Sequence, residues 1–131
     1  MTFNNIKRFY RALLFICAVY FLAVAIIHQT GIKISMLFVF YDIPSERYQD
    51  LIISFLAAGW SMLFLIGFLD DELKPRIQIP IIVSGVMAIC GLIRARMEVQ
   101  FHSEVNYEII ALAFLLFALI AAYYKAVVQK R

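Results

Sequence analysis

The sequence predicts an all-α fold: a four-helix transmembrane bundle of antiparallel hairpins with both termini in the cytoplasm. The chain has 131 residues, of which 64% are hydrophobic, and four apolar stretches account for most of it. A hydrocarbon core about 30 Å thick needs about 20 helical residues to cross it. With their flanks, the stretches reach this length at about residues 10–29, 47–69, 77–97 and 106–125, within a single integral membrane domain.

A soluble four-helix bundle is the alternative that these stretches exclude. Helices of a soluble bundle carry an apolar stripe and a polar opposite face. Residues 51–69 contain no ionisable side chain, and the first and fourth stretches are similarly apolar around their circumference. Such helices belong in lipid or deep inside a large protein, and this chain is too short for the second case.

Basic residues are divided unequally between the two predicted sides of the membrane. Eight lie on the side of the termini and four on the other side. The eight are Lys7, Arg8, Arg11, Lys74, Arg76, Lys125, Lys130 and Arg131, and the four are Lys33, Arg47, Arg94 and Arg96. This positive-inside distribution predicts cytoplasmic termini. The net charge of +3 therefore orients the chain in the bilayer and does not indicate a nucleic-acid partner.

The first span resembles a signal peptide at its start, where basic residues precede an apolar run. The run ends at Ile26–Gln29 without the small residues that signal peptidase requires, and three further spans follow. We therefore predict a retained signal anchor, preceded by a short amphipathic lead-in and terminated near Gly31.

The segment 31–41 is too short to cross the membrane as a helix. It predicts either a hydrophobic loop over the outer mouth of the bundle or a lid over a site there. Pro44 then predicts the start of the second helix, because proline suits a first helical turn. Small and polar residues share one stripe of that helix and predict close helix packing. They are Asp50, Ser54, Ala57, Ala58 and Ser61.

Residues 70–76 predict a tight cytoplasmic turn that joins the second and third spans as a hairpin. Two pairs of small residues, each pair spaced four apart on the third span, predict a second close-packing face. They are Ser84, Ala88, Gly91 and Ala95. Cys17 and Cys90 lie at different predicted depths, and a disulfide needs α-carbons within roughly 7 Å, so we predict no bridge between them.

Ionisable residues collect at the predicted outer end of the bundle. An ionisable residue within a span is a functional-site candidate, and Arg94 directly follows the apolar run Ile89–Ile93. Glu98 lies one turn further out on the same helix, and residues from the other three spans are expected at this depth. The candidate ligand-binding residues are Arg94, Glu98, His102, Glu108, His28 and Asp50.

Two interpretations of this cluster need no metal. Arg94–Glu98 and Arg96–Glu108 could be interfacial ion pairs with snorkelling arginine side chains. Alternatively, the cluster lines a polar pocket for an anionic or amphipathic ligand, anchored by Arg94. We expect Arg94 to be the most functionally sensitive ionisable residue, with Glu108 as a further candidate partner.

A metal site at Glu98, His102 and His28 is the third interpretation, but two histidines at different span ends indicate it weakly, and we predict no metal. The sequence also contains no phosphate-binding Gly-rich loop, Cys/His array or Gly-x-Ser-x-Gly motif. We therefore predict no catalytic residue and no cofactor. The predicted function is a non-enzymatic accessory or ligand-binding subunit. The alternative is a small transporter or membrane enzyme acting on a lipid-like or quinone-like molecule.

The whole chain resembles the DoxX-like small bacterial membrane proteins. The resemblance lies in length, four helices, a longer first outer connection (His28–Asp50), the hairpin through Asp70–Arg76 and the polar end of the third helix at Gly91-Leu92-Ile93-Arg94. It implies a four-helix fold in the bacterial inner membrane and adds little about function. The expected partners are membrane lipids, with a homo-oligomer or a larger membrane complex as further possibilities.

Overall fold

The computed structural model of the chain describes residues 3–34, 37, 46–98 and 103–130. Four helices occupy nearly all of them: α1 (Phe3–Thr30), α2 (Arg47–Leu69), α3 (Pro75–Glu98) and α4 (Ser103–Lys130). All four are long and apolar enough to cross a membrane. The predicted all-α, four-helix fold is confirmed, and the chain is a multi-pass membrane protein.

The helix boundaries extend the predicted spans at several ends. α1 begins at Phe3, so the predicted lead-in forms the first turns of this helix. α1 and α4 each contain 28 residues, about 42 Å at 1.5 Å per residue, and therefore project beyond the hydrocarbon core. α1 ends at Gly31 as predicted, because this residue has a φ of 76° and donates its N–H to the Ile27 carbonyl.

The start of α2 differs from the predicted one. α2 begins at Arg47, with Glu46 as its N-cap residue, and the Gln49 side chain accepts a hydrogen bond from the Glu46 N–H. The predicted start at Pro44 lies outside the described residues. The same is true of most of the predicted loop or lid, namely residues 35, 36 and 38–41.

The helices run alternately up and down. α1 packs most extensively against α2, whereas α4 packs against both α1 and α3. α2 and α3 are joined by the turn 70–74 but contact each other least, so they separate beyond it. The rings of Tyr10 and Tyr123 lie 5.6 Å apart, which places the first and last turns of the chain at one end. We call this the inner end and the opposite one the outer end.

Buried apolar side chains concentrate around α1. The larger cluster occupies the inner half: Ile6, Tyr10, Leu14, Cys17, Ala18, Phe64, Leu73, Ile81, Leu119, Ala122 and Ala126. A smaller cluster of Val24, Ala25 and Ala57 follows towards the outer end. Phe21 stacks on both Trp60 and Phe64, with ring centroids 5.5 Å apart in each pair. The core is therefore well filled near the inner end and thinner towards the outer one.

The predicted small-residue stripe of α2 faces α1. Asp50, Ser54, Ala57 and Ser61 are buried, and the Ser61 hydroxyl donates to the Ala18 carbonyl at 2.8 Å. The stripe is thus a close-packing face, as predicted. Ala58 is the exception, because it lies at the edge of the stripe and is exposed.

Large apolar side chains cover the outside of the bundle. Phe55, Phe114 and Phe117 are about 70% exposed, and many other large apolar residues are exposed at all depths of the helices. Such a continuous apolar surface is incompatible with a monomer in water and matches contact with lipid.

Candidate functional site

His28 and Asp50 meet at the outer end, between the last turn of α1 and the first turn of α2. The His28 Nδ1 atom lies 3.0 Å from Asp50 Oδ1, and its Nε2 atom lies 3.0 Å from the Leu37 carbonyl oxygen. Both residues are buried, at 3% and 5% exposure. The structure therefore brings together two of the six predicted site residues, from helices that are consecutive in the chain.

Both ring nitrogens of His28 face hydrogen-bond acceptors when Asp50 is ionised. A ring nitrogen donates only if it carries a proton. Both contacts are therefore hydrogen bonds in two cases: the imidazole is protonated on both nitrogens, or Asp50 carries the proton and donates it to Nδ1. In either case the pair holds one proton more than a neutral histidine beside an ionised aspartate.

Further polar groups surround this pair. The Lys33 ammonium lies 3.4 Å from Asp50 Oδ2, so the carboxylate contacts two basic side chains. Arg47 donates to the His28 carbonyl at 2.9 Å and to the Gln29 carbonyl. These carbonyls belong to the last turn of α1, where a cation is favoured by the helix dipole. The Ser54 hydroxyl donates to Gln29 Oε1 at 3.1 Å, which ties α1 to α2 once more.

Glu108 lies on α4 and is 3% exposed. It accepts a hydrogen bond of 2.9 Å from the Tyr20 hydroxyl of α1. Burial of a carboxyl group within a span is costly and marks a position with a specific role. The predicted pairing of Glu108 with Arg94 or Arg96 stays a prediction, since the contact seen here is to a tyrosine.

The two arginines near the outer end of α3, Arg94 and Arg96, occupy different faces of the helix. Arg94 is exposed, and it continues the exposed stripe of Val83, Met87 and Cys90. Arg96 is half-buried, and its Nε atom donates to Asn106 Oδ1 of α4 at 3.0 Å. The sequence favoured Arg94 for its place after an apolar run, but the better-packed arginine in the structure is Arg96.

The remaining two predicted site residues cannot be placed in the cluster. Glu98 is the last residue of α3 but its side chain is not described, and His102 lies outside the described residues. Their roles in a polar pocket, an ion pair or a metal site stay predictions. Within the described ranges, no group of three or more His, Cys, Asp or Glu residues is arranged to hold a metal ion.

An apolar cleft of about 330 Å³ lies inside the bundle, on the side where α2 and α3 separate. Aromatic rings of Phe21, Trp60 and Phe64 contribute to its wall, and small residues on α3 leave the space open. The α3 residues that line it are Ile81, Gly85, Ala88, Ile89, Gly91 and Leu92. The cleft is not predicted by the sequence, because small residues on a membrane helix indicate a packing face in the first place.

Two glycines of α3 have different surroundings, and of these only Gly91 belonged to the predicted packing face. A Cβ atom at Gly85 would lie 2.8 Å from the Leu116 side chain, so this glycine does allow α3 to approach α4 closely. A Cβ atom at Gly91 would have no neighbour within 4 Å. Near the outer end, the small residues therefore create space instead of close contact.

The inner end holds a second polar network, which joins α1 to the hairpin. The Tyr10 hydroxyl donates to Gln78 Oε1 at 2.9 Å, and Gln78 Nε2 donates to Asp70 Oδ2 at 2.9 Å. Burial tends to raise the pKa of Asp70. Hydrogen bonds from Gln78 and from the backbone N–H groups of Lys74 and Glu72 outweigh this and lower that pKa. The network is structural, since each polar group is satisfied within the protein.

Comparisons of the chain with protein-family models, curated proteins and solved structures give no match. Three features of the molecule bear on its function: the outer His28–Asp50 cluster, the buried Glu108 and the apolar cleft.

Proposed function

We propose that this protein is a non-enzymatic membrane subunit that binds the hydrocarbon chain of a lipid-like molecule in the cleft between its helices. The apolar cleft is the observation that carries the proposal. Its volume of about 330 Å³ falls at the lower end of the range of about 300–1,000 Å³ that is usual for small-molecule sites.

The wall of the cleft determines which ligand fits it. Water needs two to four polar partners, and a cavity lined by Leu, Ile and Phe stays dry. Every described residue that lines this cleft is apolar, apart from the weakly polar thiol of Cys17 and the indole N–H of Trp60. A hydrocarbon chain that enters sideways from the bilayer is therefore the favoured occupant.

The same lining argues against chemistry on the bound chain. General acid–base catalysis needs a positioned side chain such as His, Glu, Asp or Lys within reach of the substrate, and none of these is among the described residues that line the cleft. An accessory or lipid-binding role, in a larger membrane complex or a homo-oligomer, fits this apolar lining. We further propose a bacterial inner-membrane location and membership of the DoxX-like group, on the sequence features given above.

A small transporter or an enzyme acting on a quinone-like molecule is the second candidate function. Glu108 favours it, because this buried carboxyl lies one turn outward from the cleft residue Leu112 on the same face of α4. A carboxyl group at that place could exchange a proton with a ligand that reaches the outer end of the cleft.

Native mass spectrometry of the protein purified in mild detergent tests the proposal. We expect the wild type to carry a bound lipid or quinone, and Gly91→Leu to lose most of it, because the new side chain would occupy the cleft. Gly59→Leu is the matched control. It lies on α2 outside the cleft, and a Cβ atom there also has no neighbour within 4 Å.

Both substitutions raise helix propensity, so neither should unfold its helix. Equal retention of the ligand by all three proteins would contradict binding in the cleft. Turnover of the retained molecule by the purified protein would instead favour the second candidate.

A further inference from the structure

Arg96 extends the cleft-lining face of α3 by one turn. Gly85, Ile89 and Leu92 line the cleft, and Arg96 follows them with successive spacings of four, three and four residues. Residues at these spacings share one face of a helix. Arg94 lies on the exposed stripe instead. Of the two arginines in the last turns of α3, Arg96 is thus the one placed at the outer end of the cleft.

The contact with α4 fixes where the Arg96 side chain lies. Its Nε atom donates to Asn106, which precedes the cleft residue Leu112 by six residues. Six residues correspond to about 9 Å along a helix. The guanidinium therefore lies between α3 and α4, beyond the outer limit of the apolar lining.

An apolar cleft with a cation at its outer end is complementary to an amphiphile with an anionic head. A guanidinium can bind two oxygens of one phosphate group in parallel, which favours it over other cations for this purpose. The depth is also suitable, since a chain in the cleft would place its head group at the outer interface.

We propose that the ligand of the cleft is a phospholipid with a net negative charge, whose acyl chain lies in the cleft and whose phosphate binds Arg96. This inference rests on the proposed function, to which it adds the head group. Arg96 selects the net charge of the head group, because the choline cation of a zwitterionic lipid offsets the phosphate charge that the guanidinium binds. The cleft itself accepts the chain irrespective of the charge that the head carries.

Trp60 provides the measurement, because it is the only tryptophan of the chain and lines the cleft. The protein is reconstituted into mixed bilayers of phosphatidylglycerol and phosphatidylcholine with identical chains, and one of the two lipids is brominated at its chains. Bromine quenches tryptophan fluorescence on contact. The dependence of quenching on the brominated fraction gives the relative binding constant of the two lipids at Trp60.

We expect the wild type to prefer phosphatidylglycerol by about three- to tenfold, as one charge-assisted contact at an interface would give. Arg96→Gln should reduce the preference to about one, and Arg96→Lys should retain part of it. Arg94→Gln, two residues away, is the matched control and should keep the full preference. Circular dichroism of each variant verifies that the helices are intact.

The outcomes separate the head group from the cleft. A relative binding constant near one for the wild type overturns the proposal of an anionic ligand without need of any variant. An equal loss of preference in Arg94→Gln and Arg96→Gln overturns the assignment of the head group to Arg96. Failure of the cleft itself has a different signature. In that case Gly91→Leu would leave the quenching of Trp60 by both brominated lipids unchanged.

Discussion

Disruption of the His28–Asp50 contact is expected to destabilise the bundle more than loss of any exposed ion pair. Both side chains are buried, and Asp50 is held by His28 at 3.0 Å and Lys33 at 3.4 Å. Removing one partner of a buried ion pair typically costs about 3–5 kcal/mol, because the other charge stays buried without compensation. Asp50→Ala should fall near the lower limit, about 3 kcal/mol, since His28 can keep its contact with the Leu37 carbonyl.

The pair also has a coupling energy that can be measured directly. In a double-mutant cycle of His28→Ala, Asp50→Ala and the double variant, we expect a coupling of about 1.5–3 kcal/mol, the range for hydrogen bonds to charged groups. Asp50→Asn should cost less than Asp50→Ala, because the amide oxygen can still accept a hydrogen bond from a protonated Nδ1. Reversible unfolding in mixed detergent–SDS micelles, followed by circular dichroism, gives these free energies.

Asp71→Ala is the matched control for this cycle. Asp71 also contacts two basic side chains, Lys7 and Arg11, but its side chain is 70% exposed. Loss of an exposed pair costs about 0–1 kcal/mol. A loss of unfolding free energy in Asp50→Ala no larger than that in Asp71→Ala would contradict a stabilising buried contact. So would a coupling energy between His28 and Asp50 within about 0.5 kcal/mol of zero.

Three other outcomes concern topology, packing and pH. In a cysteine-free background, cysteines at Lys74 and Glu104 should be labelled from opposite sides of the membrane, and labelling of both from one side would contradict the orientation. Gly67→Ala should lower the free energy of unfolding by about 1–3 kcal/mol, because its Cβ would overlap a buried isoleucine of α3, whereas Gly59→Ala should be neutral or stabilising. Folding lowers the pKa of Asp70, so the stabilisation that its carboxylate provides is complete above the ordinary aspartate pKa of about 3.9. This stabilisation is lost as pH falls from that value through the lower pKa of the folded state. Asp70→Asn should therefore flatten the acid limb of a thermal-stability profile.

The number and type of helices could be predicted from the sequence, because apolar length is a property of consecutive residues. The packing face of α2 was predictable for a similar reason: Ser54 and Ser61 repeat at helical spacing within an apolar run. The contact between Tyr10 and Gln78 was not, since these residues are 68 positions apart and nothing local indicates their partner. Only the relative placement of α1 and α3 creates it.

For the candidate site, the sequence predicts the depth of a residue but not which neighbouring helix its side chain faces. His28 and Asp50 were expected at one depth, and depth follows from distance along each helix. Which arginine of α3 faces the interior depends on how the whole helix is rotated in the bundle. Arg94 and Arg96 point in nearly opposite directions, so the apolar run before Arg94 could not decide between them. The cleft depends on the separation of α2 from α3, which is likewise a tertiary property.

The cleft can persist because nothing in a bilayer drives it to close. In water, collapse of an apolar cleft would remove hydrocarbon surface from solvent, but in lipid the alternative to helix contact is an equally apolar chain. Polar contacts hold the helices near both ends, through Tyr10 and Gln78 at the inner end and through His28 and Asp50 at the outer one. Between these ends, α2 and α3 make few contacts with each other. A lipid chain that fills the space makes the dispersion contacts that an empty cleft would lack, so the bundle and its ligand are expected to be more stable together than the bundle alone.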